Sequence, residues 1–210
     1  MKRLTGTFLL ALAACGSDYQ PEIPSSAEAA TPGPRREAAI FAGGCFWCTE
    51  ADFEKVPGVI SAVSGYSGGS LAKPTYEQVS AGGTGHYEAV RIIYDPARVS
   101  YAALAHYYFR TVDPTDAGGQ FCDRGDSYRT ALFVAGAKQR QIAEAEKAAA
   151  EKSLRKRLAT AILPAGPFYP AEGYHQDYYK KNRLKYAFYR SRCGRDARLR
   201  QIWGSEAAGR

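Results

Sequence analysis

The chain has 210 residues, of which 45% are hydrophobic and 23% are charged, and it carries a formal net charge of +7. This length supports one well-buried domain and excludes two domains of ordinary size, while the composition is that of a globular protein. The sequence shows no internal repeat.

The N-terminus has the pattern of an export signal. A short basic region precedes an apolar run over residues 8–14, which is too short to span a bilayer, and Cys15 follows at once. Residues 12–15 look like a bacterial lipobox. We therefore predict a signal peptide over residues 1–14, with cleavage before Cys15 and acylation of its thiol; an ordinary signal peptide with an incidental cysteine is the alternative. The mature protein is then expected outside the cytoplasm, as a membrane-anchored lipoprotein facing the periplasm or the cell exterior.

A linker is predicted after the anchor. Residues 16–36 contain four prolines among serine, alanine and glutamate and have no apolar periodicity. This composition favours a semi-extended, disordered segment. The chain is thus divided into a signal peptide (1–14), the anchor cysteine with its linker (15–36), one folded domain (37–204) and a short tail (205–210).

The first elements of the domain place a cysteine at a strand-to-helix junction. An apolar strand is predicted at Ala38–Ala42, two glycines follow it, and a helix is predicted over Cys45–Val56. Free N–H groups and the positive end of the helix dipole stabilise an anion at such a junction. We therefore predict a lowered pKa for Cys45, which makes it a candidate nucleophile. Phe46 and Trp47 beside it offer an apolar aromatic wall.

The remaining elements mix strands and helices. Two long loops, 113–128 and 164–173, interrupt them, and long ordered loops usually carry function. The mixture predicts an α+β fold, a two-layer sandwich in which helices pack on a mixed sheet, with a loop-rich C-terminal tail. The predicted strands are Val59–Ser64, Tyr87–Tyr94, Thr130–Ala135 and a short stretch at Thr160–Leu163, and the predicted helices are Thr75–Ser80, Tyr101–Thr111 (with Ser100 as its N-cap), Lys138–Leu158 and two short ones after Tyr174.

The C-terminal part is rich in basic residues. From Lys180 onward they are interleaved with tyrosine and phenylalanine, a pattern that can indicate nucleic-acid binding. We interpret it instead as a solvated basic face over an aromatic underside, because an exported protein rarely meets nucleic acid. Attraction to an anionic membrane surface is an intermediate possibility.

A series of short motifs follows through roughly residues 38–204. They are Gly43–Glu50, Pro57–Val59, Ser64–Gly69, Pro74–Val79, Gly85–Val90, Tyr94–Pro96, Asp113–Asp116, Asp123–Arg129, Pro167–Glu172 and His175-Gln176. In this order they resemble the peptide methionine sulfoxide reductase A family. The resemblance also implies the α+β sandwich.

The resemblance implies reduction of methionine-S-sulfoxide in oxidised proteins, with the free amino acid as a further possible substrate. The Cys45 thiolate would attack the sulfoxide sulfur, the oxygen would leave protonated, and Cys45 would become a sulfenic acid. Glu88 matches the family's proton donor, and burial at the start of a strand would raise its pKa. The other matched residues are Tyr76 and Tyr128 for the sulfoxide oxygen, Phe46 and Trp47 for the methyl group, Asp123 for the substrate backbone or a water, and His86 and His175 without assigned chemistry.

Three cysteines compete to resolve the sulfenic acid as a disulfide. Cys193 lies in a tail that the sequence predicts to be mobile, and it is the preferred candidate. Cys48 lies one helical turn after Cys45, and Cys122 is adjacent to the matched Asp123. Cys48 and Cys122 remain alternatives.

The implied partners are oxidised proteins and a dithiol donor. The resemblance implies no bound cofactor or metal and a monomeric enzyme that takes its reducing equivalents from a thioredoxin-type protein. Cytosolic thioredoxin would not reach an exported enzyme directly, so an extracytoplasmic donor or a membrane-linked relay is implied. The alternative function is a thioredoxin-like dithiol oxidoreductase that uses Cys45 and Cys48.

Overall fold

Eight strands and seven α-helices form the domain in a computed structural model that describes residues 36–208. The predicted signal peptide, Cys15 and all but the last residue of the predicted linker lie outside the described residues. The strands are β1 (Glu37–Gly43), β2 (Val59–Ser67), β3 (Tyr87–Tyr94), β4 (Gly119–Gln120), β5 (Asp123–Arg124), β6 (Thr130–Val134), β7 (Ala161–Pro164) and β8 (Phe168–Pro170). The helices are α1 (Phe46–Phe53), α2 (Tyr76–Ser80), α3 (Tyr101–Arg110), α4 (Ala137–Leu154), α5 (Tyr178–Lys181), α6 (Arg183–Arg192) and α7 (Arg195–Trp203).

Six of the strands form one mixed sheet in the order β7-β6-β1-β3-β2-β8, and β4 pairs with β5 in a separate hairpin. All neighbours in the large sheet are antiparallel except β6 and β7, which run parallel because α4 carries the chain from the end of one to the start of the other. Helices α1, α3, α4 and α7 bury their apolar residues against one face of this sheet. The predicted α+β sandwich is therefore confirmed.

Aromatic packing fixes the two helices nearest the end of β1. The ring of Phe41 stacks on Phe53 of α1 and on Tyr108 of α3, with centroids 5.2 and 5.1 Å apart. The Tyr108 hydroxyl donates to the Ala42 carbonyl at 2.7 Å. Large buried aromatic side chains dominate core energetics, so this cluster holds α1 and α3 firmly over the strand that leads to Cys45.

Local capping explains where α2 and α3 begin. The Ser100 hydroxyl accepts the Ala103 N–H, so the predicted N-cap of α3 is confirmed. Thr75 and Gln78 form a reciprocal capping box at the start of α2. This box makes Tyr76 the first residue of α2.

Buried charges connect α1 to the C-terminal helices. Asp52 is fully buried and accepts a hydrogen bond from Arg190 Nη1 at 2.9 Å, while Arg195 Nε lies 3.9 Å from its other oxygen. The Arg195 guanidinium also donates to the Gly43 and Thr111 carbonyls. Because a buried charge is tolerated only when it is paired, α6 and α7 are held in place beneath α1.

The C-terminal segment differs from the predicted loop-rich tail with two short helices. Within the described residues it contains three helices, α5 to α7, and α7 packs Leu199 and Trp203 into the core. The sequence predicts a continuous basic face because nothing in it distinguishes the buried Arg190 and Arg195 from arginines on the surface. The aromatic underside is also only partial: Tyr178, Tyr186 and Tyr189 are half-buried, whereas Phe188 is 69% exposed.

The other differences lie at element ends and in the two long loops. The loop over 113–128 contains the β4–β5 hairpin, and the loop over 164–173 contains β8, whose partner β2 is distant in sequence. Helix α4 ends at Leu154 rather than Leu158 because Arg155 adopts a left-handed conformation with φ of +52°. Between residues 36 and 208, no helix combines the length and the apolar character needed to cross a bilayer.

Candidate active site

Cys45 lies at the junction of β1 and α1, as the sequence predicts. Gly44 has a φ of +80°, and a Cβ there would come within 2.5 Å of the Gln120 side chain. Only glycine fits this left-handed turn against the β4–β5 hairpin. The turn makes Cys45 the N-cap of α1, and its carbonyl accepts the N–H groups of Cys48 and Thr49.

A pocket of about 80 Å³ opens beside Cys45. Its wall combines the residues that the resemblance assigns to the nucleophile, the proton donor, the oxygen ligands and the substrate contacts. They come from α1, α2, β3, β5 and the turn before β6, which are far apart in sequence. The wall consists of Cys45, Phe46, Trp47, Tyr76, Glu88, Asp123, Tyr128 and Tyr189.

Glu88 is buried beside the N-terminus of α1. It is 3% exposed, and its Oε2 accepts the Phe46 N–H at 2.9 Å. Burial raises the pKa of Glu88 to about 8, and the Phe46 hydrogen bond offsets this only in part. The carboxyl therefore holds a proton at neutral pH and can donate it into the pocket.

The lowered pKa that the sequence predicts for Cys45 is wrong for the substrate-free site. Burial raises the pKa of the Cys45 thiol well above its usual value, and the nearby Cys48 sulfur and Glu88 carboxylate raise it further. A hydrogen bond from Tyr189 acts in the opposite direction. The junction with the helix is as predicted, but desolvation outweighs the helix N-terminus, so Cys45 rests as a thiol.

Cys48 is the buried partner of Cys45, one turn further along α1. A hydrogen bond from Cys45 lowers the pKa of Cys48 to about 7 despite burial, and the charges of Arg195 and Arg190 contribute. A negative charge in this pair is therefore favoured on Cys48 while Cys45 keeps its proton.

Tyr76 and Tyr128 both line the pocket, and each affects the pKa of the other. Burial raises the pKa of both tyrosines, so both remain protonated donors. The Glu172 carboxylate accepts the Tyr76 N–H at 2.8 Å and the Tyr66 hydroxyl at 2.9 Å. Glu172 thus fixes the start of α2 and with it the position of Tyr76.

The aromatic wall is held by residues from the C-terminal segment. The Trp47 ring stacks on Tyr178 with centroids 3.7 Å apart, and its Nε1 donates to His175 Nδ1 at 3.0 Å. Burial lowers the pKa of His175, which keeps the imidazole neutral and able to accept this hydrogen bond. The His175 ring also lies 4.9 Å from the Phe46 ring, so one histidine orients both predicted wall residues.

Tyr189 is a pocket residue that the sequence reasoning missed. Its hydroxyl donates to Asp123 Oδ2 and its ring meets Trp47 edge-on at 5.8 Å, and it lies close enough to Cys45 to lower the pKa of the thiol. The only signal in the sequence was its place in the aromatic C-terminal stretch, four residues before Cys193 on the same helix face. Asp123 lies where the resemblance places it.

The structure joins two of the three candidate resolving cysteines. Cys122 and Cys193 form a disulfide with Cα atoms 4.8 Å apart, while Cys45 and Cys48 are free thiols. Cys193 is the C-cap residue of α6, and its N–H donates to the Tyr189 carbonyl at 2.9 Å. It is thus one helical turn from a residue on the pocket wall and belongs to a packed helix rather than to a loop.

Two groups of side chains in residues 36–208 have the composition of a metal site. The first contains Cys122, Cys193 and Asp123, but its two sulfurs are bonded to each other. The second contains Glu50, Glu54 and Asp177, whose carboxylates accept hydrogen bonds from neighbouring groups. Asp123 of the first group also lines the pocket at Cys45.

Comparison with known proteins identifies what the chain is similar to. A family model described as "Peptide methionine sulfoxide reductase" matches residues 37–207. The protein "Peptide methionine sulfoxide reductase MsrA 2" of Caulobacter vibrioides is 53% identical over 205 residues, which cover 97% of this chain and 100% of that protein.

Solved structures show the same fold. The crystal structure of Mxr1 from Saccharomyces cerevisiae in reduced form is 30% identical with a TM-score of 0.69, covering 73% of this chain and 90% of that chain. A structure of Mxr1 in complex with Trx2 is 21% identical with a TM-score of 0.52, covering 72% and 91%, and this likeness concerns the fold alone.

The Tyr189 hydroxyl is predicted to assist ionisation of Cys45. When Cys45 ionises, the single Tyr189 hydroxyl proton can turn from Asp123 to the thiolate, and Tyr189→Phe removes this donor. Alkylation of Cys45 at a fixed alkaline pH should therefore slow by roughly tenfold, the scale of about 1.5 kcal/mol for a hydrogen bond to a charged group. Mass spectrometry of iodoacetamide-labelled peptides measures this rate. Tyr179→Phe, which removes a hydroxyl bonded to Glu54 outside the pocket, is the matched control. Equal rates in both variants would remove Tyr189 from the site.

Proposed function

The chain belongs to the peptide methionine sulfoxide reductase family, and from that membership we propose how its residues reduce methionine sulfoxide. One observation supports the proposal above the others: a buried, protonated carboxyl and a buried thiol share a pocket of about 80 Å³ with two protonated tyrosines. This combination supplies a nucleophile, an acid and donors for one oxygen in a space that fits a small group.

The first step is attack of the Cys45 sulfur on the sulfoxide sulfur. Cys45 and Glu88 hold one proton each before the reaction. Glu88 donates its proton to the sulfoxide oxygen, and the Glu88 carboxylate then takes up the proton that Cys45 loses. The S–O oxygen passes to Cys45 as a sulfenic acid, the thioether leaves, and no net proton is consumed.

The pocket wall orients the substrate for this step. Tyr76 and Tyr128 line the pocket as protonated hydroxyls and would donate to the sulfoxide oxygen. Phe46 and Trp47 offer ring faces to the S-methyl group, which packs well against aromatic rings. Asp123, fixed by Tyr189, remains as the acceptor for the substrate backbone or a water.

Resolution of the sulfenic acid is assigned to Cys193. Its thiolate attacks the Cys45 sulfur and releases water, and Cys122 then attacks Cys193 in the new disulfide, which frees Cys45. The Cys122–Cys193 bond beside two free thiols is the state that this sequence of steps leaves behind. Gly194, with a φ of +66° between α6 and α7, is a suitable hinge for the required movement of Cys193.

The oxidised enzyme needs a two-electron donor, and we assign this role to a thioredoxin-type dithiol protein. The relative Mxr1 forms a complex with Trx2, which supports the same class of donor here. The reaction balances with thiols alone and needs no bound cofactor. We propose that the enzyme acts on oxidised proteins as a monomer, as the resemblance implies.

A thioredoxin-like dithiol oxidoreductase is the weaker candidate. It would use Cys45 and Cys48 as a dithiol, and the lowered pKa of Cys48 is compatible with this. It would leave Glu88, Tyr76 and Tyr128 without a role, and it does not follow from the family to which the chain belongs.

Cys45→Ser is expected to abolish sulfoxide reduction, including the single turnover of the pre-reduced enzyme without added reductant. The serine hydroxyl is a much weaker nucleophile than sulfur and forms no sulfenic acid. The measurement is the 16 Da loss of a methionine sulfoxide peptide when one oxygen is removed. Retained single-turnover activity would show that another group is the nucleophile.

The raised pKa of Glu88 predicts that the first step slows at alkaline pH. Because its raised pKa of about 8 keeps it protonated below that pH, the single-turnover rate should fall as pH rises above this value. In Glu88→Gln the rate should be roughly 10²–10⁴-fold lower. The residual rate should instead rise with pH, because only ionisation of Cys45 still titrates.

Glu50→Gln is the matched control for this profile. Glu50 is also buried in α1 with a pKa raised to about 7, but it lies outside the pocket. In Glu50→Gln the single-turnover rate should still fall above pH 8. If the rate also still falls above pH 8 in Glu88→Gln, Glu88 is not the acid.

Cys193→Ser should keep the first turnover and lose recycling by a thioredoxin-type donor, because the thiol that meets the sulfenic acid is missing. Trapping with dimedone and peptide mapping should find the adduct on Cys45. Cys48→Ser should recycle nearly normally. A Cys45–Cys48 bridge as the sole product of one turnover would give the resolving role to Cys48.

We also propose that the chain is exported and anchored through Cys15, as the N-terminal pattern predicts. The protein should then take up radiolabelled palmitate and fractionate with membranes, and Cys15→Ala should lose both properties. Palmitate uptake by Cys15→Ala, or wild-type protein that is free of lipid, would contradict the anchor.

A further inference from the structure

A second cleft lies on the outer side of the Cys122–Cys193 disulfide. Its volume is about 390 Å³, much larger than that of the pocket at Cys45. Consecutive residues line the two cavities: Cys122 lines the cleft and Asp123 lines the pocket at Cys45. The cleft is lined by Asp113, Asp116, Phe121, Cys122, Cys193 and Arg198.

The two sulfurs of this disulfide differ in access. Phe121 and Cys122 form the two-residue turn of the β4–β5 hairpin, and Cys122 is exposed at its tip. Cys193 is half-buried at the end of α6. A protein thiol must approach the sulfur that it attacks along the S–S axis. Cys122, at the hairpin tip, is therefore the more accessible of the two sulfurs.

The charges around the disulfide do not separate the two sulfurs as leaving groups. Cys193 lies between the C-terminus of α6 and the N-terminus of α7, whose dipoles act on it in opposite directions. The Asp123 carboxylate lies 3.7 Å from Cys122 Sγ and within 4.8 Å of both sulfurs. Arg198 in the cleft is paired with Asp113 at 2.8 Å. The choice of the attacked sulfur therefore rests on access.

We propose that this cleft is the docking surface of the dithiol protein that recycles the enzyme, and that the donor attacks Cys122. The proposal rests on the proposed function, because it takes the Cys122–Cys193 disulfide as the last oxidised state. The exposure of Cys122 at the hairpin tip, against the half-buried Cys193, selects the attacked sulfur. The partner is a protein with a solvent-exposed Cys-x-x-Cys turn, which would meet Phe121 and the ion pairs that Asp116 and Arg198 form with Arg124 and Asp113.

The exchange balances in two steps. The donor's first thiolate bonds to Cys122 Sγ, the Cys122–Cys193 bond breaks, and Cys193 leaves as a thiolate that takes a proton from solvent. The donor's second thiol then loses its proton and bonds to the donor's first sulfur, which releases Cys122 as a thiolate. The donor dithiol is oxidised to a disulfide, and the enzyme disulfide is reduced to two thiols.

A trapping experiment tests the assignment. The probe is a bacterial thioredoxin whose second Cys-x-x-Cys cysteine is replaced by serine, so that the mixed disulfide cannot be resolved. It is mixed with the full-length oxidised enzyme, and the adduct is digested with trypsin without reductant. Cleavage after arginine separates the two sulfurs, because Cys122 falls in the peptide 111–124 and Cys193 in the peptide 193–195.

The expected adduct is on the peptide 111–124. An adduct on 193–195, or on the peptide with Cys45 and Cys48, would overturn the assignment. If no adduct forms while a small dithiol still recycles the enzyme, the cleft is not a docking surface.

A charge variant tests the cleft without using cysteine. Arg198→Ala should lower the rate of oxidation of intact thioredoxin by roughly tenfold, whereas Arg200→Ala, which is exposed on α7 outside the cleft, should retain it. Equal rates would overturn the role of the cleft. Single-turnover sulfoxide reduction by the pre-reduced enzyme involves no donor, so its failure would count against the proposed function and not against this docking surface.

Discussion

The site depends on a carboxyl group and a thiol that are both withdrawn from water at the N-terminus of α1. The Phe46 N–H holds Glu88 at 2.9 Å, and the same turn of chain places Cys45 at the N-cap. Burial shifts both groups toward their neutral forms. The chemistry requires this, because a sulfoxide oxygen leaves only when protonated, and a charged Glu88 would have no proton to donate and would repel a thiolate.

Buried charge pairs elsewhere keep this arrangement rigid. Asp52, Arg190 and Arg195 tie α1 to α6 and α7, and removing one member of such a buried set typically costs about 3–5 kcal/mol. An exposed pair such as Arg140 with Glu144 contributes about 0–1 kcal/mol. The C-terminal helices are therefore part of the active-site support, and they also carry Tyr189 and Cys193 to the pocket.

The sequence predicts the parts of the molecule that are set by local pattern. The strand Tyr87–Tyr94, the N-cap at Ser100 and the junction at Cys45 follow from periodicity, capping and glycine placement. The wall residues follow from ordered motifs. The raised pKa of Cys45 could not be predicted from the sequence, because it depends on burial by segments far along the chain. The same holds for Tyr189, which no motif marks, and for β8, whose strand character comes from pairing with β2.

The most direct test of this account is the protonation state of Glu88 in the substrate-free enzyme. Infrared difference spectroscopy reports the carbonyl band of a protonated carboxyl. The comparison is between proteins with Glu88 and with Glu88→Gln, both in a Glu50→Gln background that removes the buried glutamic acid of α1. The band should be present at pH 7, absent in Glu88→Gln, and lost with a midpoint near pH 8 as the carboxyl ionises. A midpoint near the ordinary glutamate value of about 4.3 would contradict this account.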